Sequence, residues 1–456
     1  MSLLNSTFSE LDTSSNNKMP YNTGTLFDLA TGTFEQGVDG QMYLTGGLGC
    51  QFNSFVGQNG HFKSTFAGGL ITRAAALYND GGLIIRDTED SISRDKERIL
   101  RMPGEYKDRL EPDSVHWVDI KYDLEAFDEW LLQHCSEKEK QKNDLMIETP
   151  LLDTKTMKPF RQIVPTFILE DSFTEEYSER ENEMLNDASS GKSGMGDTAS
   201  NTVFLKDGNR KTMWTRTMRR RCQEFGLVFV VTGHYDQKYA LDMFHPNVKE
   251  TTFGKQDWVV KGVGSKFKFL SSIYARTQAI LLQDSNKEAL YNNGFTPAKD
   301  IFEVDVMIDR CKATIAGTMT PFVCSQTDGL LNSVTNYHYI KLDDFYGCDG
   351  NKQKQQLRML PNITISRNTI RQISEGDYMV RRALEITAQL CYIKNNWNPS
   401  IVRYDLKKDS AKVFEWLSSD ANKTLKEDIL NSRGWWSPKK EDRPYMSIFS
   451  ILDKLK

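Results

Sequence analysis

No Cys-x-x-Cys pair occurs anywhere in the 456 residues; the seven cysteines are scattered, and the six histidines show no metal-ligand spacing. This argues against a disulfide framework and against a structural zinc site, and it fits a reduced compartment. Nor does any apolar run approach the length that spans a bilayer, and the first residues lack the charged and apolar regions of a secretory leader. Positive charge is not in excess either. The net charge is −4 and the pI about 6.0, so no global field draws the chain to nucleic acid or membrane, and any nucleic-acid site must be a local patch. The expectation is a cytoplasmic protein without a membrane association.

What the chain does have is size. With 39% hydrophobic and 26% charged residues over 456 positions, it can bury a large core, one big domain with an appendage. The stretch that organises it is Gly57-Gln58-Asn59-Gly60-His61-Phe62-Lys63-Ser64-Thr65. A short apolar run, Phe52 to Val56, leads into it, and Phe66, Leu70, Ala74 and Leu77 follow at helical spacing. Strand, glycine-bearing loop with Lys-Ser, then helix is the context a phosphate-binding loop requires. Backbone N–H groups and the helix dipole favour phosphate oxygens there. Lys63 is placed to reach the β and γ phosphates of ATP, and the Ser64 hydroxyl to take one position on Mg²⁺. Phe62 stands where a glycine is usual.

Further apolar runs recur at Leu83–Ile85, Val115–Ile120, Phe167–Leu169 and Leu227–Val231. Buried strands alternating with helices predict an α/β fold with a doubly wound, mostly parallel sheet. Ligands collect at the carboxyl ends of such strands, so the residues after each run matter most. Glu89, after the run at 83–85, is the expected base for activating water, with Asp87 the alternative. Asp171, ending the run at 167–169, is the expected second magnesium residue; Glu170 precedes it rather than following it, which favours Glu89 as base. His234 follows the run at 227–231 and is the expected γ-phosphate sensor.

Three segments carry positive charge in patterns that suit DNA. Lys192 lies in a small-residue loop, Ser189 to Asn201. Arg216, Arg219 and Arg220 share a face of a helix expected over Lys211–Phe225. Lys249, Lys255 and Lys261 are interleaved with Phe253, Trp258 and glycines, as in a single-strand-binding loop. Arg310 and Lys312, two residues apart at the end of another apolar strand, point the same way. From about Tyr346 the pattern changes: Asn351 to Arg358 is polar, expected as a linker or exposed helix, and helical periodicity follows, with Trp435 and Trp436 expected in the core.

In this order the pieces resemble the RecA superfamily of recombinases, and most closely its bacteriophage UvsX-type branch. The resemblance spans roughly Thr25 to Asp344. It rests on Gly46-Gly47-Leu48, on the loop ending Phe62-Lys63-Ser64, on Asp87-Thr88-Glu89, on Ile168-Leu169-Glu170-Asp171-Ser172 and on Gly233-His234. It implies a RecA-like P-loop ATPase core over 25–345. Outside that span the reading is the sequence's own: the Ser-, Asn- and Thr-rich residues 1–24 are expected as an arm able to tether a neighbouring subunit, and the helical periodicity makes 346–456 a mainly helical module. It further implies helical filaments on single-stranded DNA, with ATP and Mg²⁺ bound between subunits. The family's catalytic glutamate falls on Glu89, its Walker B aspartate on Asp171 and its polar sensor on His234. The DNA loops fall within about 188–202 and 238–266, and the cations that reach ATP across the interface fall on Arg310 and Lys312. The leading expectation is a DNA-dependent ATPase acting in recombination and repair, with a mediator or single-strand-binding protein as a further partner. A ring-forming RecA-fold helicase and a non-catalytic RecA-fold scaffold are the alternatives.

Overall fold

The computed structural model describes residues 19–454, apart from 79–81, 91, 93–94, 108, 119–122, 154–156, 176–197, 238–257, 264–265, 398–411, 418 and 440–442; for 198–207, 209, 236–237, 258–259 and 420 only the backbone is described. Of the arm expected over 1–24, residues 1–18 lie outside the described residues, as do Lys192, Lys249 and Lys255; of 19–24, Met19, Tyr21, Asn22 and Thr23 are buried, so that this part is packed against the core.

A ten-stranded sheet forms the centre. Nine of its strands are β1 (Phe52–Gly57), β2 (Leu83–Asp87), β3 (Val115–Val118), β4 (Thr166–Asp171), β5 (Leu227–Gln237), β6 (Ile273–Leu281), β7 (Ile301–Cys311), β8 (Thr318–Ser325) and β9 (Gly329–Leu330). They run in the order β9-β8-β7-β6-β1-β5-β4-β2-β3, and a short strand at Trp258–Val260 pairs antiparallel with β5. From β6 to β3 every neighbouring pair is parallel. From β6 to β9 every pair is antiparallel. The sheet is therefore mixed and mostly parallel, and the apolar runs read from sequence form its centre.

Alternation along each strand sends side chains to two different cores. Phe55, Leu83, Ile85, Phe167, Leu169, Val228 and Val230 join the cluster that contains α1 (Lys63–Tyr78). Phe52, Val56, Ile84, Ile168, Phe229 and Val231 face the other way, onto α2 (Leu124–Lys140) and α3 (Thr198–Phe225). Helices thus cover both faces, which is why the parallel strands are apolar throughout. On the α1 side, Phe66 packs edge-on to Phe55 at 5.4 Å and against Phe322 at 4.8 Å. Truncating so buried a ring to alanine costs about 3–5 kcal/mol.

Residues after 346 join the α1-side core: α4 (Asn332–Leu342) packs on α5 (Tyr378–Asn396), and Trp435 meets Tyr106 edge-on at 4.7 Å. This part is not helical alone, for Cys348–Gly350, Gln355–Leu357 and Leu360–Ile365 form a three-stranded antiparallel sheet. The expected linker or helix at Asn351–Arg358 is instead a turn and a strand. Its inward residues are Gln355 and Leu357, and Gln355 accepts a hydrogen bond from the Tyr337 hydroxyl at 2.6 Å. A polar side chain on the buried face hides a strand from hydropathy. The same region also caps α1: Lys439 Nζ donates to the Ala76 carbonyl at 2.6 Å, and the Ser437 hydroxyl donates to that of Leu77. Helix C-terminal carbonyls that lack intrahelical partners are thereby satisfied.

Candidate nucleotide site

The parallel register brings four strand ends to one place. Gly57 at the end of β1 lies opposite His234 on β5, and Asp87 at the end of β2 lies opposite Asp171 on β4. The phosphate loop leaves β1 at Gly57, where a Cβ would come within 2.7 Å of Thr277 Oγ1 and 2.8 Å of its carbonyl oxygen. Only glycine permits that approach. His61 fixes the loop's other side, with Nδ1 2.8 Å from the same Thr277 carbonyl. Phe62 takes φ +52°, the left-handed conformation a glycine would adopt at less cost. Its ring lies 3.8 Å, centroid to centroid, from that of Phe302, so packing offsets the backbone strain.

Lys63 opens α1 and is 5% exposed. Its ammonium donates to the Gln58 carbonyl at 3.1 Å and lies 3.4 Å from His234 Nδ1. Burial lowers its pKa, while Asp171 and Glu89 pull it back up. The Ser64 hydroxyl donates to Asp171 Oδ1 at 2.9 Å, and the Thr232 hydroxyl donates to the same oxygen. Asp171 is buried, and desolvation raises its pKa against these hydrogen bonds. A cation beside it would reverse that cost. Among the described residues no group of three or more His, Cys, Asp or Glu is placed to hold a metal. Ser64 and Asp171 are the side chains here that could hold Mg²⁺, a cation that takes few protein ligands and completes its shell with phosphate and water.

Glu89, just beyond β2, accepts from His234 Nε2 at 2.5 Å. That bond holds its carboxyl down at about 2 despite partial burial. Asp87, the alternative base, accepts from the backbone N–H groups of Glu89 and Ile92 at 3.3 and 2.6 Å. Glu170 is fully buried in an ion pair with Arg86 at 3.0 Å, out of reach of a reacting water. Gln58, Asn59, Glu89, Glu175, His234, Tyr235 and Lys261 line an adjoining cleft of about 710 Å³. Lys261 joins the site through its backbone, its N–H donating to the His234 carbonyl at 2.9 Å, and its ammonium meets Glu175 at 2.7 Å.

Arg310 and Lys312 lie elsewhere. Arg310 on β7 is opposite Tyr274 on β6, which is beside Ser54 near the start of β1. The two cations are thus at the end of the sheet away from Lys63. Arg216 and Arg220 are exposed on α3 and Arg220 lies 3.7 Å from Glu224, but Arg219 turns inward to Gln51. The shared face expected for the three is therefore broken. Sequence reading also missed Thr232 on Asp171 and Arg98, whose guanidinium donates to Thr65 Oγ1 at 2.8 Å. Thr232 precedes Gly233-His234, so its position at a strand end was the available signal; nothing local marks Arg98.

No protein-family model and no curated protein matches the sequence.

Proposed function

We propose that this chain is an ATP-dependent recombinase that assembles on single-stranded DNA and promotes homologous pairing and strand exchange. One observation carries the reading: residues at or near the ends of four different strands come together, Lys63, His234 and Glu89 in one hydrogen-bonded chain and Ser64 and Asp171 in another, and the two are joined by the adjacency of Lys63 and Ser64 and by the charges of Asp171 and Glu89 acting on Lys63. Lys63 and the N–H groups opening α1 receive the β and γ phosphates. Ser64 and Asp171 would hold Mg²⁺, which when bound would supply positive charge to offset that developing on the phosphates.

Glu89 accepts a proton from the attacking water. While His234 holds it, its carboxyl sits at about 2 and is a poor base. His234 is also within reach of Lys63, where the γ-phosphate competes for it. Drawing His234 toward the phosphate frees Glu89 and makes it more basic. His234 belongs to β5, whose chain continues into the expected second DNA loop, and its carbonyl holds Lys261. Nucleotide state and DNA contact therefore share one strand.

The test is ATP hydrolysis with and without single-stranded DNA, with electron microscopy of the same mixtures. DNA-stimulated turnover with open helical filaments is expected. Closed rings would transfer the reading to a helicase, and absence of both stimulation and assembly would overturn it.

A further inference from the structure

A cleft of about 420 Å³ opens where residues after 346 meet the α1 side of the core. Leu77, near the end of α1, is on its wall, and the helix puts that residue about 21 Å from Lys63. The cleft is therefore separate from the candidate nucleotide site.

Two cations line it without a carboxylate of their own. Arg443 is exposed and lies 3.7 Å over the Tyr378 ring, whose hydroxyl donates to the Ser432 carbonyl at 2.8 Å. Arg381 lies 5.5 Å from the same ring and donates to the carbonyls of Ser374 and Glu375 at 2.8 and 3.0 Å. Among the described residues neither meets an acidic side chain. Two carboxylates face the same space. Glu385 on α5 is 8% exposed and pairs with Arg382 at 3.1 Å. One oxygen of Glu105 accepts from the Ser333 N–H at 3.1 Å, and the other has no partner among the described residues. Burial raises the Glu385 carboxyl against the pull of Arg382, and the charge of Glu105 adds to the rise. Tyr106 and Trp435 complete the aromatic part of the wall. Two lining residues also carry buried polar atoms without a partner, Trp435 Nε1 and Asn332 Oδ1. Buried polar groups are nearly always hydrogen-bonded, so the wall itself calls for a polar occupant.

Positive charge thus lies toward solvent and negative charge inward. A matching molecule carries an anionic group for the two guanidinium groups. It also carries an N–H donor for the free oxygen of Glu105, as an amino-bearing base offers a carboxylate, and a planar ring for the aromatic faces. A nucleotide has all three, and the volume is within the roughly 300–1,000 Å³ of small-ligand sites. A nucleic-acid strand fits poorly, because charges strung along its backbone call for a row of cations. Here two cations stand against two carboxylates.

We propose that this cleft is a second small-molecule site, taking a free nucleoside monophosphate with an amino-bearing base, its phosphate on Arg381 and Arg443 and its amino group on Glu105. The inference goes beyond the ATPase reading and does not rest on it. Bound there, the ligand touches the core through Glu105 and the later residues through Arg443, and so stabilises their junction.

Calorimetric titration of full-length Lys63→Ala, whose phosphate loop is silenced, tests the site. The probes are cytidine, adenosine and guanosine monophosphates, with thymidine monophosphate and inorganic phosphate as controls. At least one amino-bearing monophosphate should bind saturably, one per chain, and raise the melting temperature. Adding Arg443→Ala should weaken that binding at least ~10-fold, since an exposed charge-assisted donor is lost. Glu105→Gln keeps an acceptor for Ser333 and puts an amide donor where the free oxygen was, so it should weaken binding by a similar factor. The site is refuted if no monophosphate binds at millimolar concentration, or if both added variants melt like Lys63→Ala and bind as tightly. Equal binding of inorganic phosphate or thymidine monophosphate would overturn the base contact and leave an anion site only. Displacement by a single-stranded oligonucleotide at lower concentration would assign the cleft to nucleic acid instead. A wild type that hydrolyses no ATP would sink the ATPase reading and leave this result standing.

Discussion

The two ends of the central sheet handle charge in opposite ways. At the carboxyl ends of the parallel strands each ion has a partner: Asp171 takes Ser64 and Thr232, Glu89 takes His234, and Lys63 stands among them. At the other end Lys312 and Arg219 share the amide oxygen of Gln51, while Arg310 beside them meets the Lys268 carbonyl and the Phe269 ring. The first end is balanced internally and must be rearranged to work. The second carries an excess of positive charge. The two ends are thus distinguishable by whether their charges are paired.

The largest effect should come from removing the balanced end's ammonium. Lys63→Ala should weaken ATP binding at least ~100-fold, because a buried phosphate loses its charge-assisted donor; titration with a fluorescent ATP analogue measures it. Glu89→Gln should keep that binding and cut single-turnover hydrolysis by roughly 10²–10⁴-fold, the range for a general base. A wild-type rate in that variant would sink the assignment.

Gln51→Glu brings the two ends closer in kind by placing a carboxylate between Lys312 and Arg219. The variant should melt at a higher temperature than wild type in a thermal scan, because the new carboxylate pairs with two cations that now share a neutral oxygen. A lower melting temperature would contradict the contrast itself.

The pH dependence should also differ between the ends. Glu89 has a folded value of about 2 against an ordinary 4.5. A depressed carboxyl contributes stability that is present above 4.5 and lost as pH falls toward 2. His234→Ala should flatten that part of the wild-type stability curve in acid urea titrations. The smallest effect concerns Phe62. Phe62→Gly relieves the left-handed backbone but loses the Phe302 contact, two terms of about 1 kcal/mol each that nearly cancel. Phe62→Ala loses the contact and keeps the strain, so urea denaturation should find it the less stable of the two.

Much of the nucleotide end was legible because its residues are local in sequence. The loop, Glu89, Asp171 and His234 each follow an apolar run, and the parallel register that joins them is a property of the fold class. Phe62 looked like a departure because spacing cannot show that a phenylalanine will accept φ +52° when Phe302 receives its ring. The other end was only half legible. Arg310 and Lys312 are neighbours, but Arg219 and Gln51 are 168 residues apart in the chain, and Arg219 looked like one more member of a cationic helix face suited to DNA. Asn351–Arg358 was misread for a different reason: its buried face is built partly from glutamine, whose partner Tyr337 only tertiary structure supplies.

Ser437 and Lys439 grip the far end of the helix whose near end holds the phosphate loop. Across its 16 residues that helix is a rod about 24 Å long. A rod clamped at one end pivots there, so any tilt that nucleotide imposes on the loop has its fulcrum at residues 437–439. Insertions or labels at those positions should therefore be treated as changes to the loop's own support, however distant from it they look.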